Sequence, residues 1–482
     1  METEVHADLV ITGGTVVADD MAYSADVAIR DGAIIAVGDP KAMPMARETL
    51  NAYGKYLLPG AIDVHVHTRD PGYTYKETWQ SATAAAAVGG VTSVFDMPNT
   101  DPPTSTPDAL REKLALADSQ AYVDFGVYGL LAEDNIHHLE ALAEGGVIGF
   151  KCFMGNTFGN LPSPSTGAML EAFEIIAPTG LRVSLHAETA SIMAWRYERL
   201  RAAGRHDPLA HVAARPAVVA VEAVARAAIL SEWTGARIHV LHVSSKAELR
   251  PLREAKARGV DVTAETCPHY LFLDTNDYAE LGSLMRVNPP IRDTIDASAL
   301  WEGLRDKTLD MIATDHAPHT PEEKHNDVIW DADCGFPGVE TQMPLMLTAV
   351  NQGRITLQEY VHMSAVSPAQ SWGLYPRKGA IVPGADADIA IVDMARTETI
   401  DQSAFHSISA QISPFHGRSV TGVPVHTLVR GRFVMRDREL MTDARGHGSN
   451  LQPAQQMLSP QVRNCECTLA SETRLAPGEQ ET

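Results

Sequence analysis

The sequence predicts an α/β protein, a (β/α)8 TIM-like barrel with a small β-sandwich domain built from the N- and C-terminal segments. Three observations lead there. From about Gly60 to about Val366, short apolar runs alternate with longer Ala- and Glu-rich stretches, the pattern of a parallel sheet made of βα units. A repeat sustained that long fits a closed barrel better than an open sheet. Before and after it, β-branched runs punctuated by Gly and Asp read as hairpin strands. Finally, the side chains best suited to bind metal stand at the ends of the apolar runs, where such barrels place their active sites.

Taken in order, residues 1–59 carry the N-terminal part of the small β domain, in Asp8–Thr15 and Ala25–Val37. Residues 60–370 form the barrel, with strands predicted over Ala61–Val66, Val91–Met97, Val147–Phe153, Arg182–His186, Ile238–Val243, Val260–Thr266 and Met311–Thr314. Residues 371–441 return to the strand pattern in Gly379–Gly384, Asp388–Val392 and Thr427–Val434, completing the N-terminal sheet. Residues 442–482 are polar, with GHGSN, LQPAQQ and a Glu-rich end, and read as an extension or loose tail. Within them Cys465–Glu466–Cys467 has no second ligand pair nearby and reads as incidental, not as a metal site.

Composition narrows the function classes. Of the 482 residues, 45% are hydrophobic and 21% charged, the usage of an ordinary folded domain. A formal net charge of −22 excludes a general polyanion binder, so no nucleic-acid partner is expected, while a few local cations can still serve a small anionic substrate. Five scattered cysteines do not form a disulfide framework, the N-terminal stretch METEVHADLV is acidic, and no apolar run approaches the ~18 residues of a membrane span. The expectation is a cytoplasmic protein with no membrane partner.

The sharpest chemical feature is Asp63–Val64–His65–Val66–His67. On a strand, residues two apart face the same side, so both imidazoles converge if that side is the barrel interior. Lys151, His186, His242 and Asp315 also follow apolar runs. Four imidazoles and a carboxylate suit Zn²⁺ or a similar divalent ion. Lys151 is the odd member, because an ammonium ion repels metal ions and is costly to bury beside them. Carboxylation of its amine by CO₂ turns it into an anionic carbamate with two oxygens able to bridge two cations.

With these residues stand PGAIDVHVHTRDPG, GFKCFM, LHAET, LHVSS, CPHY, NPPIR, ATDHAPHT and KGAIVPGADADIAIVD, and over nearly its whole length the chain resembles the cyclic amidohydrolases, the group of dihydroorotase, allantoinase and hydantoinase or dihydropyrimidinase. The resemblance implies a two-metal centre, Zn²⁺ by ligand type. His65, His67 and Asp315 hold one ion, His186 and His242 the other, and the Lys151 carbamate is shared. A hydroxide between the ions is then the nucleophile and Asp315 the general acid and base. A homo-oligomer, dimer or tetramer, is also implied.

Substrate choice must rest on other residues. Arg69, two beyond His67, can clamp a carboxylate bidentately. With Asn99 and His319 it resembles the carboxylate-binding set of dihydroorotase, and Asn288 resembles the contact to the ring. The loop Gly335–Glu340 adds Phe336, Pro337 and Gly338 as substrate contacts, whereas His269 in CPHY reads as a packed strand end. The implied activity is reversible interconversion of dihydroorotate and N-carbamoyl-aspartate, in pyrimidine biosynthesis. GFKCFM and RPAVVAVEAVARAAIL also resemble allantoinase, so an uncharged cyclic amide or ureide is the alternative substrate. A non-catalytic scaffold relative would have lost ligands, and none is missing here.

Overall fold

The structure, a computed structural model, describes residues 6–155, 157–159 and 161–453. The chain begins with strands β1 (Ala7–Val17), β2 (Ala22–Arg30), β3 (Ala33–Gly38), β4 (Ala46–Asn51) and β5 (Tyr56–Pro59). The barrel follows as β6 (Ala61–Val66), β7 (Val91–Asp96), β8 (Asp124–Leu131), β9 (Gly149–Phe153), β10 (Arg182–His186), β11 (Arg237–Val240), β12 (Val262–Thr266) and β13 (Met311–Ile312). The last strands are β14 (Ile389–Thr399), β15 (Ser419–Val429), β16 (Arg432–Arg436) and β17 (Glu439–Leu440).

Strands β6 to β13 pair in chain order, all parallel. The ring nearly closes where the His67 amide donates to the His316 carbonyl at 2.8 Å. Every residue of β6, β7 and β8 is buried, as expected of strands covered on both faces. One buried cluster joins Ile62, Val64, Phe95, Tyr128, Leu241 and Met311, side chains from several sides of the ring, so the barrel is packed and its site must sit at a mouth.

The remaining strands form one mixed sheet in the order β17-β16-β15-β14-β5-β1-β2-β3, with β4 beside β1. The two ends of the chain meet where β14 runs antiparallel to β5, Ile389 opposite Pro59 and Ile391 opposite Leu57. Gly379–Gly384, expected as strand, is a turn. Thr427–Val434 is not one strand but the end of β15 and the start of β16, reversed at Arg430 and Gly431, both with positive φ as a two-residue hairpin turn requires.

Two further departures matter. Strand β8, DFGVYGLL, was not predicted, because Gly126 and Gly129 interrupt the apolar run; a Cβ on Gly126 would lie 2.8 Å from the Ile148 Cβ, so packing demands the glycine. And residues 442–453 are not loose. Gly448 donates to the Ala121 carbonyl at 2.9 Å, Phe125 to Ser449 at 3.0 Å and Leu451 to Phe125 at 2.7 Å, which seats Leu451 in the barrel cluster. Cys465 and Cys467 lie outside the described residues.

Candidate active site

The strands deliver the predicted ligands to one mouth of the barrel. His65 lies in β6 with His67 just past it, Lys151 in β9, His186 at the end of β10, His242 two residues past β11 and Asp315 three past β13. All six line one narrow cleft, with Arg69, Asn99, Phe153, Phe158 and Asn288. A larger open cavity of about 800 Å³ lies at the other end of the barrel, around Val147, Arg182 and Arg237 at the strand starts. It holds none of these groups, and the chemistry decides for the smaller one.

The inner atoms converge. Asp315 Oδ1 is 3.1 Å from His65 Nε2 and 3.2 Å from His67 Nε2, and His186 Nδ1 faces His242 Nε2 at 2.9 Å. Two opposite nitrogens are tied outward, His65 Nδ1 to Glu265 Oε1 at 2.6 Å and His67 Nδ1 to Asn99 Oδ1 at 2.7 Å, while His186 Nε2 stands 3.1 Å from Glu188 Oε2 without a hydrogen bond. Such partners fix the tautomers of His65 and His67 and leave their inner lone pairs free for a metal. His242 Nδ1 is buried without a hydrogen-bond partner.

Burial sets the charges. It holds His65 and His242 well below the ordinary imidazole value, lowers His186, and brings His67 down to about 4, so all four present neutral rings. Burial also lowers Lys151 to about 8, so near neutrality about a tenth of the amine is uncharged, far more than for an ordinary lysine.

His65, His67 and Asp315 form a cluster fit to hold a cation, their ligand atoms within 4.8 Å of one another. Two other acid clusters already hold a cation of the chain: Lys76 Nζ is 2.9 Å from Glu323 and 3.2 Å from Asp333 beside His319, and Lys378 Nζ is 2.6 Å from Asp388 and 2.9 Å from Asp386 beside Asp124. Backbone strain gathers at the site as well. Arg69, His242 and Asp315 adopt φ of 62°, 39° and 48°, each costing about 1–3 kcal/mol for a non-glycine residue.

Arg69 is buried, with Nε donating to the Pro318 carbonyl at 3.2 Å and Nη2 3.1 Å from His319 Nε2, while Nη1 has no partner. Burial lowers it to about 10, still a cation, and its Cζ stands 4.5 Å from the centre of the Phe158 ring. Asn288 Oδ1 is likewise buried without a partner. Asn99 also lines the cleft but is engaged, since it accepts from His67 and its Nδ2 donates to the Phe158 carbonyl at 3.4 Å.

His319 stands behind Arg69 and outside the cleft lining, its Nδ1 2.9 Å from Asp333 Oδ2. Phe336, Pro337 and Gly338 do not line the cleft either. The Phe336 carbonyl accepts from Ala317 at 3.1 Å and the Gly338 amide donates to His316 Nδ1 at 3.1 Å, so those groups are already spent within the chain. His269, expected at a strand end, lies instead in the short helix Pro268–Phe272, where it is buried and packs edge-on against Phe336. Glu265, Glu188 and Phe158 were missed by sequence reasoning; LHAET contains Glu188, but nothing in the pattern told that its carboxylate turns back to His186.

Comparison with known proteins agrees with this geometry. The model of the Amidohydrolase family matches residues 56–434. A dihydroorotase from Pelotomaculum thermopropionicum is 39% identical over 447 residues, 89% of this chain and 99% of that protein. An allantoinase from Deinococcus radiodurans is 34% identical over 442 residues, 91% of this chain and 98% of that one. The solved L-hydantoinase (dihydropyrimidinase) from Arthrobacter aurescens superposes with a TM-score of 0.90 at 34% identity, covering 92% of this chain and 100% of that one. The chain belongs to the amidohydrolase family, and within it to the cyclic amidohydrolases, hydrolases of cyclic amides.

Proposed function

We propose that the protein acts on a cyclic amide bearing a carboxylate, as a dihydroorotase that interconverts dihydroorotate and N-carbamoyl-aspartate in pyrimidine biosynthesis. The observation that carries this reading is Arg69, a cation lining the cleft whose buried Nη1 has no hydrogen-bond partner in the chain. Leaving such a group unpaired is costly, and a substrate carboxylate satisfies it with a charge-assisted hydrogen bond. The nearby Asn288 Oδ1 supplies an acceptor for a ring N–H.

Two divalent ions, Zn²⁺ by ligand type, fit the donor set: His65, His67 and Asp315 for one, His186 and His242 for the other, and Lys151 as a carbamate for both. When bound, such ions polarise an amide carbonyl and lower the pKa of water toward neutrality. Around them the chain's own groups move protons and hold the ring. Asp315 takes the proton of the attacking water and returns it to the ring nitrogen as the C–N bond breaks. Arg69, braced by His319, holds the carboxylate. Phe153 and Phe158 wall the cleft and keep bulk water from the reacting bond. A lowered Lys151 favours the carbamate, since only the neutral amine attacks CO₂.

A second reading, an uncharged ring as for an allantoinase or hydantoinase, draws support from the likeness to those enzymes and leaves the metal chemistry unchanged. Hydrolysis of dihydroorotate, allantoin, hydantoin and dihydrouracil, measured side by side with Zn²⁺ and bicarbonate and with a chelated control, separates the two. Chelator-sensitive preference for dihydroorotate is the expected result; preference for an uncharged ring discards the substrate and keeps the centre. A cytoplasmic homo-oligomer, dimer or tetramer, completes the proposal. Trp195, Ile229 and Trp233 on the outer helices Ala190–Ala202 and Val218–Thr234 are the exposed apolar residues for such a contact, and light scattering measures it. Among the described residues no helix is long and apolar enough to cross a membrane.

A further inference from the structure

We infer that Glu265 is a positioning residue for the metal pocket, tying the ligand set of one ion to that of the other; the inference rests on the two-metal reading above. Glu265 lies in β12, is fully buried, and has no role in binding or proton transfer so far. Its two oxygens take N–H donors from three places. Oε1 accepts from His65 Nδ1 at 2.6 Å and from the His242 backbone amide at 3.1 Å, and Oε2 lies 3.0 Å from His239 Nε2. The arrangement is closed from behind, because His239 Nδ1 lies 2.8 Å from the Thr263 hydroxyl and can accept from it.

Two consequences follow for the ligands. With Nδ1 committed as a donor, His65 presents its lone pair at Nε2, on the side of Asp315. With its amide held, His242 is kept at a φ of 39°, in the left-handed region, and from there its Nε2 faces His186 Nδ1 at 2.9 Å. Asn99 fixes only His67, and Glu188 stands beside only His186 among the ligands. Glu265 alone among these three holds a ligand of each proposed ion, so it sets the spacing between the two halves of the centre as well as the tautomer of one ring.

The test uses the full-length Zn²⁺-loaded protein and two variants of similar volume, Glu265→Leu and Glu265→Gln. If Glu265 only fills space, the apolar leucine is tolerated at least as well as glutamine. If it positions ligands, Glu265→Leu releases metal at a chelator concentration about 10–100-fold lower than the wild type, and the Co²⁺-loaded variant has an altered visible absorption spectrum at unchanged far-UV circular dichroism. Glu265→Gln, which keeps one oxygen for His65 and His242, is expected to recover most of the retention. Wild-type chelator resistance and a wild-type cobalt spectrum in Glu265→Leu overturn the inference. Should that variant fail to fold, the ¹⁵N-histidine spectrum of the loaded wild type decides: a slowly exchanging His65 Nδ1–H supports the role and its absence refutes it. A wild-type protein that takes up neither Zn²⁺ nor Co²⁺ refutes the metal reading itself, a result distinct from metal uptake that ignores Glu265.

Discussion

An imidazole binds a metal only through a nitrogen free of its proton, and at this mouth the outer hydrogen bonds of His65 and His67 and the burial of all four rings work toward that state. Lys151 is the exception, for which carboxylation is proposed. Lys151→Ala is expected to lose bound metal and activity together, and short carboxylic acids added to the variant should restore part of both by replacing the carbamate; metal analysis and a rate assay with and without acetate check this. The six ligand candidates were legible in the sequence because each follows an apolar run, and the barrel turns run ends into one mouth. Arg69, two residues past His67, was legible in the same way, and Asn288, in the connection between β12 and β13, only through the resemblance of its NPPIR segment. Glu265 and Glu188 were not, since an acid in a buried strand or turn gives no sign of which imidazole it will meet. The loop at Phe336–Gly338 misled in the opposite way: its glycines mark a turn, but the turn's amides serve His316.

At the scale of elements, the segment 442–453 joins tail and barrel. Its backbone pairs along Ala121–Phe125, and a Cβ on Gly448 would stand 2.1 Å from the Val123 carbonyl, so only glycine passes that point. Leu451→Ala is expected to cost about 2–5 kcal/mol, the range for emptying a buried leucine site, as a lower urea midpoint. Gly448→Ala should lower it too, by detaching the segment. Polar composition suggested a loose tail because hydrogen bonding to a strand by main-chain groups leaves no trace in side-chain pattern. Strand β8 was hidden for a related reason, its glycines being a packing requirement that reads as a break.

At the scale of the molecule, Lys378 binds the barrel to the small sheet. It is buried among Asp124 at the start of β8, Asp388 just before β14 and Asp386, while Arg430 also reaches Asp124. Lys378→Met strands these carboxylates, and a loss of about 3–5 kcal/mol is expected, read from denaturant unfolding. Acid should weaken the fold by a separate route. Burial holds His211 well below the ordinary 6.5 and brings His269 down to about 4, so below 6.5 the unfolded chain takes up protons that the folded chain refuses. Their stability contribution is whole above about 6.5 and drains as the pH falls toward about 4. Guanidinium midpoints at pH 7.5 and pH 5 check the sign, and a midpoint that rises on acidification would falsify it.

The proposed selection of a carboxylated ring by Arg69 can be tested directly, because dihydroorotate and dihydrouracil differ by that carboxylate alone. The measurement is kcat/KM on both rings for the wild type and Arg69→Met. A wild-type preference for dihydroorotate is expected to collapse by about 100-fold in the variant, near the ~3 kcal/mol of a buried charged pair cut at one partner, with little change on dihydrouracil. An equal loss on both rings, or a wild type indifferent to the carboxylate, contradicts it.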